Sequence, residues 1–73
     1  VYVYDNEPRN QEILGRIEQC IDRGEQVVLW PRSIEEKDIN DMVLANYDIM
    51  DILKSNTYSG LEAKVKFNNW KKV

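Results

Sequence analysis

Two short apolar runs, Val1-Tyr-Val-Tyr4 and Val27-Val-Leu-Trp30, bracket one amphipathic stretch, and this arrangement leaves few folds open. Neither run alternates with polar residues. Both therefore suit strands buried on two faces, as in a parallel sheet covered by helices. Between them Ile13, Leu14, Ile17, Cys20 and Ile21 recur at helical spacing, and Gly24 is placed to end the helix with positive φ. The spacing predicts a helix over 8–23. Gly15 costs up to about 1 kcal/mol in its interior unless it lets the helix approach the sheet closely. Strand, helix and strand in succession make a βαβ unit, with a parallel pair and a right-handed crossover.

In such a unit both strands end on the same side, where open α/β sheets place their ligands. Asp5 and Glu7 follow the first run. Two acids at i and i+2 in extended chain point the same way and can share one hard cation. The plainer alternative is that one of them caps the helix opening near Pro8. Beyond Trp30 comes Lys37-Asp-Ile-Asn-Asp41. Here Asp38 can cap a helix whose third residue is Asp41, with Ile39, Met42 and Val43 turned inward. It can also complete a carboxylate cluster with Asp5 and Glu7, leaving Lys37 for a phosphate.

The remainder reads as helical. Asp48 is placed to cap a helix through Ile49, Ile52 and Leu53 that ends within residues 54–56. Ser59-Gly-Leu-Glu62 matches a capping box before a last helix, with Leu61, Val65 and Trp70 as its inner face and Ala63 alongside. Tyr58 and Trp70 are either stacking platforms for bases or clamps that hold this helix down.

Composition narrows the functions. One cysteine and no histidine exclude an internal disulfide, a Cys/His zinc site and histidine-based triads. Cys20 lies on the apolar stripe of the first helix, so an inert buried thiol is expected. No run approaches the ~20 apolar residues of a membrane span, and a reducing, cytoplasmic setting is expected. The 73 residues form one domain, and a net charge of −3 argues against a grip on nucleic acid by the surface as a whole. The charge is uneven, however: all 13 acids lie at or before Glu62, and Lys64, Lys66, Lys71 and Lys72 follow without one. That end suits either a phosphate backbone or a solvated helix with cations at its favourable pole. The chain lacks an initiator Met and opens inside an apparent strand, so it is expected to be cut from something longer. Its first strand is then expected to lie at or near an open sheet edge that invites self-association.

Taken together, strand, Asp5-x-Glu7, helix, strand and Lys37-Asp-Ile-Asn-Asp41 resemble the Toprim domain, the catalytic module of bacterial-type DNA primases and topoisomerases. Lys37 to Asp41 is similar to a K-D-x-N-[DE] segment of phage-type primases. The stretch from Asn56 through Trp70-Lys-Lys resembles the C-terminal end of primase subunits in large tailed bacteriophages. Two features depart from the family. Its first carboxylate, a glutamate on an earlier strand, has no counterpart here and is expected to lie in sequence before Val1. The second acid of its D-x-D is Glu7. The zinc-binding and RNA-polymerase-basic regions of primases are also absent from this stretch.

The resemblance implies a partial Toprim-like α/β fold, a two-strand parallel β-α-β sheet followed by two or three C-terminal helices. It implies Mg²⁺-dependent (or Mn²⁺-dependent) synthesis of RNA primers on single-stranded DNA, with ribonucleotides as substrates and a replicative helicase as partner. Asp5, Glu7 and Asp38 would be the catalytic metal ligands, Asp41 a further ligand or cap, and Lys37 a phosphate contact. No zinc is expected in this stretch, and the fragment alone is expected to be inactive. Two other readings stay open: a protein-interaction fragment whose acids only cap helices, and a Toprim-type nuclease or topoisomerase fragment.

Overall fold

The computed structural model describes residues 1–72. Its elements run α1 (Gln11–Asp22), β1 (Val27–Val28), α2 (Ile39–Leu44), α3 (Ile49–Ser55), β2 (Thr57–Tyr58) and α4 (Gly60–Trp70). Each helix starts where a polar side chain can take up free backbone N–H groups. Asn10 Oδ1 accepts from Glu12 and Ile13. Asp38 Oδ1 accepts from the Asp41 N–H at 2.9 Å, and Asp48 Oδ1 from the Asp51 N–H at 3.2 Å. The caps expected of Asp38 and Asp48 are therefore made. The cap of α1 is not Asp5 or Glu7, because the chain turns once more after Pro8 and the helix opens three residues later than predicted. Ser59 stands at the N-cap of α4, but its side chain makes no capping bond, so the capping box marks the start without closing. Gly24 ends α1 at φ 75°, as its position predicted.

The sheet is a two-stranded antiparallel pair, with Val27 opposite Tyr58 and Val28 opposite Thr57. This corrects the expected parallel two-strand sheet. The sequence around Thr57 had read as a link between helices, yet it supplies the sheet partner. The first apolar run touches β1 through one parallel bridge, Tyr2 to Val27, closed by Tyr2 N–H to the Gln26 carbonyl and Val28 N–H to the Tyr2 carbonyl, both 2.9 Å. Its direction along β1 is thus the one the βαβ spacing requires, but its length is a bridge and not a strand. Val1, Tyr2 and Val3 remain exposed beside it.

The core lies between α1, β1 and α4. Leu14, Ile17, Cys20 and Ile21 face Val27 to Trp30, with Ala63, Phe67 and Trp70 closing the other side and Met42 and Ile34 plugging the end. Cys20 is fully buried, as expected of an inert thiol, with the Tyr4 hydroxyl 3.5 Å from its sulfur. Two predicted inner faces are corrected. In α4 the buried residues are Ala63, Phe67 and Trp70, spaced i, i+4, i+7, whereas Leu61 and Val65 face outward. In α2 only Met42 is buried, and Ile39 and Val43 are exposed. A six-residue helix has room for one inward position per turn.

Gly15 sits on the exposed side of α1, and a Cβ built there meets nothing within 4 Å. It makes no close approach to the sheet. Its replacement by alanine should therefore raise stability by about 0.5–1 kcal/mol, through helix propensity and a less disordered unfolded chain. Urea unfolding followed by circular dichroism measures this, and a loss of stability would mean the helix is packed closely at that point.

Candidate functional site

The first apolar run delivers Asp5, Asn6 and Glu7 to the edge of the molecule, and the loop from Pro31 to Lys37 comes back to meet them. The Asn6 N–H donates to the Lys37 carbonyl at 2.6 Å. Its side-chain amide donates to the Ile34 carbonyl at 2.9 Å and the Glu36 carbonyl at 3.0 Å, and its oxygen accepts from the Trp70 indole N–H at 3.1 Å. One asparagine thus joins the acidic segment, the Lys37 loop and the last turn of α4. A neighbouring bond, Trp30 indole N–H to the Tyr4 carbonyl at 2.8 Å, ties the end of the apolar run to the residue before Pro31.

Around this joint the predicted residues fall as follows. Lys37 Nζ lies 3.3 Å from Glu7 Oε1, with the lysine largely exposed and the glutamate half-buried. A pair this open to water contributes less than about 1 kcal/mol. It brings the lysine to the acid instead of leaving it aimed at an external phosphate. Asp5 is exposed and takes part in none of the ion pairs among the described residues. Asp38 is one residue beyond Lys37, with one oxygen engaged as the cap of α2, and Asp41 lies in the first turn of that helix. Among the described residues no three acidic or sulfur side chains gather closely enough to hold a metal ion. These residues share one end of the molecule, but by themselves they do not assemble the expected three-carboxylate cluster.

The aromatic residues are clamps. Trp70 is 6% exposed, and its indole N–H is spent on Asn6. Tyr58 is half-buried, with the Lys66 ammonium 5.4 Å from its ring centre. On the same loop Glu36 lies against Tyr47. A hydrogen bond to that carboxylate, followed by burial and its charge, raises the tyrosine pKa above its ordinary value. The neutral phenol is therefore the form the fold favours. Its small contribution is present below pH 10 and is lost as the pH rises through the elevated value.

Asn6 went unnoticed in the sequence because it reads as a spacer between two acids. The available signal was its type: an asparagine following a strand end is a residue that bonds backbone groups in turns.

No protein-family model matches the chain. The chain is 36% identical, over an alignment of 78 positions, to the DNA primase of Enterobacteria phage T4. The alignment covers the whole of this chain and 23% of that primase, so the chain spans under a quarter of the relative's length. The resemblance to phage primase subunits read from the sequence is thus matched by whole-chain similarity to one of them.

Asn6 gives this region a direct test. Asn6→Ala leaves two carbonyls and an indole N–H without partners at a partly buried joint and should cost about 2–3 kcal/mol. Asn6→Asp keeps the acceptor for Trp70 but sets a carboxylate against two carbonyl oxygens. Its deficit against wild type should be larger at pH 7 than at pH 4, because protonation restores one donor. Urea melts of the three proteins at both pH values measure this. A pH-independent deficit for Asn6→Asp would remove the two carbonyls from the account.

Proposed function

We propose that the chain is a segment of a phage-type DNA primase and forms one edge of a Toprim-like nucleotidyl-transfer centre. The observation that carries this reading is the similarity of the whole chain to a phage DNA primase. Lys37, which opens the Lys37–Asp41 segment, adds support: its carbonyl accepts from the Asn6 N–H and its ammonium pairs with Glu7. On this reading the longer protein copies single-stranded DNA into RNA primers from ribonucleotides, works in the host cytoplasm and meets a replicative helicase. No helix among the described residues is long and apolar enough to cross a membrane.

Primer synthesis joins a 3′-hydroxyl to an α-phosphate and releases pyrophosphate. A bound Mg²⁺ or Mn²⁺ supplies activation of the hydroxyl and neutralisation of charge on the phosphates. Mg²⁺ commonly takes only one or two protein carboxylates and completes its octahedron with water and substrate oxygens, so a three-acid group is not a requirement. Asp5, exposed and outside every described ion pair, suits a direct ligand. Glu7 would contribute through water or after parting from Lys37, and Lys37 so released would meet a phosphate. Asp38 has one oxygen left beyond its capping bond, and Asp41 acts in the first turn of α2. The chain alone is not expected to make primers, because it corresponds to only 23% of the primase it matches.

In a primase carrying this segment, Asp5→Asn should reduce primer synthesis to near background while leaving template binding within about twofold, since loss of a metal ligand strikes the transition state and not the template contacts. The isolated chain bearing the same substitution should unfold at the wild-type urea midpoint. Primer synthesis near wild type would overturn Asp5 as a ligand, and a lowered midpoint would mark it as structural.

A further inference from the structure

Among the described residues, the large apolar side chains left exposed beyond the first run fall into two groups on different elements. Ile39, Val43 and Leu44 on α2 and Met50 on α3 make one group. These helices commit little to the core: α2 buries only Met42, and α3 buries no residue. Leu61 and Val65 make the other group, on the side of α4 away from Ala63, Phe67 and Trp70. Because α2 packs against α3, whereas α4 packs against α1 and β2, the two groups belong to separate parts of the molecule. Single exposed apolar residues are ordinary, but four on one helix pair mark a contact surface.

The charge around the two groups is opposite in sign. From Glu35 to Asp51 the chain carries six acids against one base, Lys37, which is itself paired with Glu7. Asp38 and Asp48 each give an oxygen to a helix cap and keep their charge. Asp41 and Asp51 take part in none of the ion pairs among the described residues. On α4, Leu61 and Val65 share their face with Lys64 and Asn68, at i, i+3, i+4 and i+7, and no acid follows Glu62. Lys64 is likewise outside the described ion pairs. An acid-rimmed apolar face suits a helix that is apolar along one line and cationic beside it, and α4 of another copy has that form.

We infer that a second copy of this chain lays the outer face of its α4, through Leu61, Lys64 and Val65, across the α2–α3 face of the first. Each copy carries both faces, so two contacts formed at once close a two-fold pair, and single contacts repeat in a row. The contact is separate from the open edge beside Val1 to Val3. It also goes beyond the primase reading, since it needs neither metal nor nucleotide, and the chain alone tests it.

Sedimentation velocity over a range of concentrations is the measurement. One helix laid on two short ones is smaller than a standard interface, so a Kd on the order of 10⁻⁴ M is expected at low salt, weakening as salt screens the charges. Leu61→Glu and Leu44→Lys should each abolish association, because each sets a charge against its like on the opposing face. These positions are 77% and 73% exposed, and each new charge lies at the helix end that favours it, so the urea midpoints should hold. Mixed in equal amounts, the two variants should associate again as pairs. The Leu61→Glu copy keeps its α2–α3 face intact, and the Leu44→Lys copy keeps its α4. Val65→Glu and Val43→Lys should repeat the pattern, which keeps the test open if a first variant lowers its midpoint. Failure of the mixtures to associate, or a loss confined to one variant of each pair, would overturn the inference. Association retained by all four variants would assign it to another surface, such as the open edge, and overturn it too. So would a wild-type chain that stays at 8.6 kDa at concentrations about tenfold above that Kd.

Discussion

The asparagine between the two acids holds the candidate site together. The Asn6 side chain reaches the Pro31–Lys37 loop and α4 at once, through two carbonyls and an indole N–H. An amide carries both donors and an acceptor, so it can bridge groups of opposite need at one point, which a carboxylate at neutral pH cannot. Everything placed near the acids depends on that joint. Lys37 comes to Glu7 because its carbonyl is fastened to the Asn6 N–H. Trp70 stays inward because its indole is fastened to the Asn6 oxygen.

Acids in this chain serve two physical ends, and sequence alone does not separate them. Asp38 and Asp48 accept hydrogen bonds from the third residue of their helices. A capping oxygen is partly spent, yet its partner oxygen is free for another donor or an ion. Asp5 has no such bond to a helix, since Asn10 does that work for α1. Among the predicted ligands, then, Asp5 is the residue whose position is least explained by structure and most open to chemistry.

The separation of charge is partly local. The six acids from Glu35 to Asp51 and the lysines after Glu62 already stand apart along the chain. Folding adds the exposed apolar residues beside them: α2 and α3 bury only Met42, and α4 turns Leu61 and Val65 outward. A net charge of −3 describes the average, and the average conceals two faces of opposite sign.

The starts of α2, α3 and α4, the inert cysteine and the direction of the first apolar run along β1 were legible in the sequence, because caps, periodicity and crossover geometry act over a few residues or follow from chirality. The sheet was not. Thr57 and Tyr58 pair with Val28 and Val27 across about thirty residues, and two-residue strands carry no pattern of their own. The phase of α4 was likewise undecided locally, since Leu61 and Val65 are as apolar as Ala63 and Phe67. Packing against α1 chose the latter pair, because Trp70 had to lie inward to reach Asn6. The acids were visible as candidates, but their surroundings were not: Lys37 beside Glu7, Asp38 half-engaged, and Asp5 alone at the edge are consequences of long-range hydrogen bonds. Local chemistry determined which segments could form, and contacts between distant segments decided which side chains meet.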